Sequence, residues 1–240
     1  LLYSGQVLCV DFALVGAALL IAMIVDGVTD PVVGYWSDNL RTLFGRRDRA
    51  ILDFWLCRKF LAPLYVVFWI MPMPECLQLE AQLRLGQWIL FLPLSLFLVM
   101  IQISAEELLF RGYLQSLLAA QFRHPIVWVV IPSVLFGLLH YSPNMAGENA
   151  WVLVLWACIF GVAAADLTAR SGTLGPALAL HFTNNIFAIL FAAPQGNLDG
   201  AALYTFPLKL DAPGLAATVL PLELLMTLCA WLCCRLAIRA

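Results

Sequence analysis

Long apolar runs, each close to the length of a membrane-spanning helix, recur along most of this sequence. A helix needs about 20 mainly apolar residues to cross the hydrocarbon layer of a bilayer. Seven runs are near or above that length, at residues 8–36, 60–74, 86–121, 126–141, 150–168, 173–193 and 214–235. Only 12% of the residues are charged, whereas a soluble domain has about 25%. The sequence therefore predicts an all-α polytopic membrane protein with about seven transmembrane helices.

The basic residues are shared unevenly between the loops that join these runs. If every run crosses the membrane once, the loops on one side carry most of them, at segment 41–59, Arg123, Arg170, Arg235 and Arg239. The opposite loops carry Arg84 and Lys209 as their only basic residues. Because Lys and Arg concentrate in cytoplasmic loops, the pattern predicts an outside N-terminus and a cytoplasmic C-terminus.

Composition argues against two other classes of function. The formal net charge is -2 and the sequence has no basic patch with interleaved aromatic residues, so we expect no nucleic-acid partner. The seven cysteines lie mostly inside apolar runs and lack the paired spacing of a metal site. We interpret them as small core residues.

Two adjacent carboxylates and an arginine interrupt the third apolar run. Glu107 and Arg111 are four residues apart, so on a helix they share one face and can form a charge-assisted hydrogen bond. Glu106 is rotated by about 100° and needs a different partner. Ionisable residues at membrane depth are costly and mark functional sites by default. The alternative is an ordinary salt bridge at the cytoplasmic end of a helix.

Two of the three histidines also lie in apolar runs. His181 and Asn185 are four apart and offer an imidazole and an amide to one spot. His140 lies about 17 residues after the turn near Arg123, and Glu106 about 17 before it, so a helical hairpin would hold both roughly 25 Å from that turn. Alone, His140 could be a histidine at a helix end, and His181 and Asn185 could simply bond across helices.

The N-terminal segment has a different character. Asp26 and Asp30, followed by Gly34, Ser37-Asp38 and Phe44-Gly45-Arg46-Arg47, resemble the second helix and loop of cation symporters of the glycoside-pentoside-hexuronide family. In that family the matching aspartates belong to the cation site. The resemblance covers residues 1–50, and a transport pathway needs helices that this segment does not supply. We expect residues 1–50 to be a fused or foreign piece and residues 51–84 to be an unassigned junction with one short membrane helix.

Residues 85–240 resemble the CPBP family of intramembrane proteases, which includes the CAAX prenyl endopeptidases and bacterial bacteriocin-processing and immunity proteins. The resemblance rests on Glu-Glu-x-x-x-Arg, Phe-x-x-x-His and His-x-x-x-Asn in that order. It implies that Glu106 activates water with help from His140, and that His181 and Asn185 stabilise the oxyanion. Glu107 and Arg111 would support them. It further implies a peptide or protein substrate in or near the membrane and a multi-pass location in the bacterial cytoplasmic membrane.

Two alternatives to this mechanism remain open at this point. Glu106, His140 and His181 could bind zinc as a two-His-one-carboxylate set, although Asn185 has no place in it and the resemblance implies a metal-free site without a cofactor. A buried cluster of this kind could also belong to a non-catalytic membrane immunity or scaffold protein.

Overall fold

Helices make up most of the computed structural model, which describes residues 47–70, 78–196 and 199–238. The α-helices are α1 (Arg47–Ile70), α2 (Leu85–Glu107), α3 (Gln115–Gln121), α4 (Pro125–Leu138), α5 (Pro143–Ala146), α6 (Ala150–Ser171), α7 (Gly175–Asn185) and α8 (Leu215–Ala237). Two π-helical segments, π1 (Leu108–Leu114) and π2 (Ile186–Phe191), continue α2 and α7. The symporter-like stretch up to residue 46, with Asp26 and Asp30, lies outside the described residues.

In the part of the chain that the structure describes, three continuous helical stretches are long and apolar enough to cross a membrane. They are Leu85–Gln121 with 37 residues, Pro143–Ser171 with 29 and Leu215–Ala237 with 23. Two shorter apolar helices, Pro125–Leu138 and Gly175–Phe191, accompany them. The protein is therefore a multi-pass helical membrane protein, which confirms the predicted class in its broad form.

The first long stretch changes its helical geometry at the charged motif. α2 ends at Glu107, π1 runs from Leu108 to Leu114, and α3 continues to Gln121. A run of this length exceeds the roughly 30 Å hydrocarbon thickness, so the sequence predicts a tilt or break, with the Gly112 region as one site. The π segment contains Gly112, and π-helical turns within α-helices are frequent at functional sites.

α4 and α6 approach each other closely through small residues. A Cβ atom on Gly137 would collide with the Cys158 side chain and lie 2.8 Å from the Val154 carbonyl oxygen. A Cβ atom on Gly161 would lie 2.9 Å from the Ser133 Cβ. Small residues allow such close approach of membrane helices. The contact sets Phe136 of α4 beside Phe160 of α6, with ring centroids 6.4 Å apart.

A small three-stranded sheet joins the loops at one end of the helices. β1 (Glu80–Ala81) pairs antiparallel with β3 (Tyr204–Phe206), and β2 (Ala192–Pro194) pairs parallel with β3. The all-α prediction missed this sheet, because strands of two or three residues are too short to show an alternating pattern. The sheet brings together residues 78–84, 192–196 and 199–206. These residues lie in or next to loops that the basic-residue pattern assigns to one side of the membrane.

α1 packs into the same core as the helices of the charged motif. Cys57, Leu61 and Tyr65 of α1 are buried in the main hydrophobic cluster. The Thr173 hydroxyl donates a hydrogen bond of 2.8 Å to Asp53, and a Cβ on Gly175 would collide with the Ala50 carbonyl group. The tight contact ties α1 to the start of α7, the helix that carries His181.

Candidate active site

Arg111 and Glu107 form a buried pair across one turn, as their spacing predicts. Arg111 Nη1 donates to Glu107 Oε1 at 3.1 Å, and both side chains are almost completely buried. Arg111 Nη2 donates to the Gly161 carbonyl oxygen at 3.4 Å. The guanidinium also lies 4.4 Å from the centre of the Phe136 ring. Because a desolvated charge must be paired and hydrogen-bonded, these contacts allow the charged motif to sit inside the helix bundle.

His181 lies between the two carboxylates. Its Nδ1 atom is 2.7 Å from Glu107 Oε1, and its Nε2 atom is 3.8 Å from Glu106 Oε2. The first distance is a hydrogen bond, in which an ionised Glu107 can only accept and Nδ1 therefore donates. The second is longer than a hydrogen bond. Glu107 thus fixes the ring so that Nε2 points toward Glu106.

Aromatic rings close the site around His181. The Phe160 ring centroid is 5.1 Å and the Phe136 centroid 5.9 Å from the imidazole centroid, both in edge-on arrangements. Such rings exclude water and lower the local dielectric, which strengthens the electrostatic interactions between the charged groups.

Glu106 has surroundings that differ from those of Glu107. Its side chain is 26% exposed, whereas that of Glu107 is fully buried. Gln102, one turn earlier in α2, donates from Nε2 to Glu106 Oε1 at 3.1 Å. Of the two carboxylates, Glu106 is therefore the one that is accessible to solvent.

His140 lies just beyond the end of α4 and shares a ring neighbour with His181. Its Nδ1 atom is 2.9 Å from the Phe136 carbonyl oxygen, so Nδ1 donates in the neutral ring and Nε2 is left as the acceptor. Its ring centroid is 4.7 Å from that of Phe136. Among the described residues His140 forms no hydrogen bond to Glu106, and its link to the site is the Phe136 ring that it shares with His181.

Asn185 is the last residue of α7, one turn after His181, and is half-buried. Its side chain makes no hydrogen bond within the part of the chain that the structure describes. The neighbouring Asn184 instead accepts a hydrogen bond of 3.4 Å from the Tyr65 hydroxyl. The structure therefore brings Glu106, Glu107, Arg111 and His181 together, with His140 and Asn185 at the margins of the cluster.

The zinc alternative requires Glu106, His140 and His181 to converge on one metal ion. Within 47–70, 78–196 and 199–238, no three His, Cys, Asp or Glu side chains are grouped to hold a metal ion. His181 Nδ1 is already bonded to Glu107, and His140 Nδ1 to a carbonyl oxygen. These described residues therefore do not provide a set of three ligands for zinc.

The part of the chain that carries this cluster matches a known protein family. Residues 87–187 match the family of type II CAAX prenyl endopeptidases described as Rce1-like. This part of the chain is therefore similar to Rce1-like CAAX proteases. All seven defined residues of the three motifs fall inside the matched range. A curated relative, the uncharacterized protein YyaK of Bacillus subtilis (strain 168), is 32% identical over 116 residues, which are 48% of this chain and 38% of the relative. No solved structure matches this chain.

A second family matches the N-terminal part of the chain. Residues 1–104 match the MFS/sugar transport protein family, which confirms the resemblance to sugar transporters. This match extends beyond residue 50 and overlaps the start of the Rce1-like domain over residues 87–104.

Sequence reasoning missed two contributors to the site. Gln102 donates a hydrogen bond to Glu106. The sequence could have indicated this contact, because Gln102 is a polar residue one helical turn before a carboxylate in an apolar run. Phe160 contacts the His181 ring from α6. An aromatic residue in an apolar helix carries no such signal, because most face lipid or the core.

Proposed function

We propose that this protein is an intramembrane endopeptidase that hydrolyses a peptide bond in a membrane-associated substrate through a glutamate-activated water. The observation that supports this most directly is the placement of His181, bonded to Glu107 at 2.7 Å and facing Glu106 at 3.8 Å. The similarity of residues 87–187 to a CAAX protease family supports the same reaction class.

Glu106 is the proposed general base. Glu107 is fully buried and its Oε1 atom already accepts from both Arg111 and His181. Glu106 is partly exposed, and its Oε2 atom lies 3.8 Å from His181 Nε2. A general base must lie within hydrogen-bond reach of the water that it deprotonates, and an accessible oxygen meets that condition.

The residues of the site can supply each proton transfer that hydrolysis of the peptide bond requires. Glu106 takes a proton from water, and the hydroxide attacks the carbonyl carbon and forms a tetrahedral oxyanion. His181 and Asn185 stabilise that oxyanion, and each such donor is typically worth about 3 kcal/mol. When the C–N bond breaks, Glu106 returns the proton to the leaving amine, with His140 Nε2 available to relay it. Because His181 Nδ1–H is committed to Glu107, donation from Nε2 requires an imidazole protonated on both nitrogens.

The setting of the site follows from the same proposal. The substrate is a peptide or protein in or near the bilayer, and the site lies inside a bundle of about seven transmembrane helices in a bacterial cytoplasmic membrane. The protease part spans 85–240, preceded by a junction at 51–84 and a foreign symporter-like piece at 1–50. The loops joined by the small sheet lie on the outer side.

Matched glutamine substitutions test the role of Glu106. We expect Glu106→Gln to lower cleavage of a membrane-borne reporter peptide by at least about 10²-fold, because the amide cannot accept the proton. Its thermal stability in detergent should equal that of the wild type. Glu148→Gln, at an exposed position in the short 3-10 helix Gly147–Asn149, is the control for the same chemical change and should cleave normally.

Two outcomes would contradict the proposal. Near wild-type cleavage by Glu106→Gln would remove Glu106 as the base. A stably folded wild type that cleaves no membrane-borne peptide would favour the non-catalytic immunity or scaffold function.

A further inference from the structure

Gln102 is a polar residue in an apolar part of α2, five residues before the helix ends at Glu107. It lies four residues before Glu106 within the run Leu-Val-Met-Ile-Gln-Ile and is half-buried. An amide at membrane depth needs a hydrogen-bond partner. Its Nε2 atom finds one in Glu106 Oε1, at 3.1 Å.

This contact makes the two oxygens of Glu106 unequal. Oε1 accepts from Gln102, whereas Oε2 faces His181 Nε2 at 3.8 Å. A carboxylate rotates easily about its last bond, since terminal torsions of this kind are broad. A hydrogen bond to one oxygen restricts that rotation and leaves the other pointing at the reaction centre.

We propose that Gln102 is a positioning residue for Glu106, which holds Oε1 so that Oε2 takes the proton from water. This rests on the proposed function of Glu106 as general base. Glu107 has a parallel role for His181. It binds Nδ1 of the ring, so that Nε2 faces the same space as Glu106 Oε2. Partners that orient a reacting group act through geometry, and small misplacements of that group are costly to the rate.

Gln115 offers a contrast within the same continuous helical stretch. Its Nε2 atom donates to the Ala165 carbonyl oxygen at 3.0 Å, and the side chain is buried. That bond ties the stretch to α6 and involves no carboxylate. Gln115 is therefore a structural glutamine, and the same substitution at both positions separates positioning from packing.

The test compares Gln102→Met with Gln115→Met in the full-length chain, reconstituted in lipid vesicles with the reporter peptide. Methionine keeps the length of the side chain and removes the donor. We expect Gln102→Met to lower kcat by about 10- to 100-fold, with KM and the melting temperature unchanged. Gln115→Met should lower the melting temperature and leave kcat near the wild-type value. Wild-type kcat in Gln102→Met, or a fall in its melting temperature that accounts for the lost activity, would overturn the proposal.

A double-mutant cycle shows whether Gln102 acts through Glu106. Glu106→Asp withdraws the carboxylate by one methylene and breaks the contact with Gln102. In that background Gln102→Met should have no further effect on kcat, because the interaction is already lost. An undiminished further fall would mean that Gln102 acts elsewhere and would overturn the proposal.

The outcomes also separate this proposal from the proposed function. If Glu106→Gln is inactive and Gln102→Met is fully active, only the role of Gln102 fails. If the wild type does not cleave, or Glu106→Gln cleaves normally, both fail.

Discussion

Two carboxylates that are adjacent in the sequence have opposite surroundings in the folded chain. Glu107 is completely buried and bonded to a cation and a histidine, whereas Glu106 is partly exposed and bonded to a neutral amide. The helical rotation of about 100° per residue separates them. The partners of the two carboxylates depend on which groups α7 presents to them. Those groups lie more than seventy residues later in the sequence. This is why the sequence predicts the Arg111 pair but not the contact between His181 and Glu107.

The Arg111 pair should be essential for stability as well as activity. Arg111→Met leaves the Glu107 carboxylate buried with His181 as its remaining partner and also loses the bond to Gly161. Removing one member of a buried pair costs about 3–5 kcal/mol, so we expect a large fall in the detergent melting temperature together with lost cleavage.

Arg170 provides the matched control for this variant. Arg170 and Asp166 are also four apart and 2.7 Å from each other, but the Arg170 side chain is 46% exposed. Exposed pairs are worth about 0.2–1 kcal/mol, so Arg170→Met should change the melting temperature little. Equal losses in the two variants would show that burial does not determine the strength of the Arg111 pair.

At the scale of elements, the spans and the charged helix were largely predictable. Apolar runs reveal a spanning helix directly, and the excess length of Leu85–Gln121 predicts a change near Gly112, where π1 lies. The small sheet and the second π segment were not predictable, because short strands and local changes of helical pitch leave no periodic signal. Gln115 is also buried, and it donates to the Ala165 carbonyl oxygen of α6, a contact between distant segments that the local sequence does not reveal.

The glycine contact between α4 and α6 should be sensitive to a single methyl group. In Gly161→Ala the new Cβ would lie 2.9 Å from Ser133 Cβ and 3.0 Å from its Cα. The helices must separate, and the Gly161 carbonyl would move away from Arg111. Overpacking of this kind costs about 1–3 kcal/mol, so we expect a lower melting temperature and reduced cleavage.

Gly86→Ala is the control at this scale. Gly86 lies in the first turn of α2, and nothing is within 4 Å of the position of its Cβ. Alanine is a better helix former than glycine by about 1 kcal/mol, so this variant should be neutral or slightly stabilising. A harmless Gly161→Ala would show that α4 and α6 are not held at this distance.

At the scale of the whole molecule, two family resemblances meet in one chain. The sugar-transport match ends at residue 104 and the Rce1-like match begins at residue 87, so sequence similarity alone does not place a sharp boundary between them. Packing gives a physical criterion. α1 precedes the Rce1-like match, yet Cys57, Leu61 and Tyr65 are buried in the cluster that also holds Phe136 and Phe160.

Truncation should therefore separate α1 from the residues before it. A chain that begins at Arg47 keeps the Asp53–Thr173 hydrogen bond, the Ala50–Gly175 contact and the stacking of Tyr65 on Phe187, whose ring centroids are 4.5 Å apart. We expect it to keep the melting temperature and cleavage activity of the full chain. A chain that begins at Gln78 loses all three contacts and should melt at a clearly lower temperature, because burying an apolar side chain contributes about 1.5–3 kcal/mol.

Complementation makes this last comparison decisive. Membrane helices can insert separately and then associate, so co-expression of residues 47–77 with the chain that begins at Gln78 should restore part of its stability and cleavage. An Asp53→Ala version of the 47–77 fragment should restore less, because Thr173 would lose its partner. If the chain that begins at Gln78 is as stable as the one that begins at Arg47, α1 is not part of the protease core. If removing residues 1–46 destroys the assembly of the remainder, the N-terminal piece is not foreign to this protein.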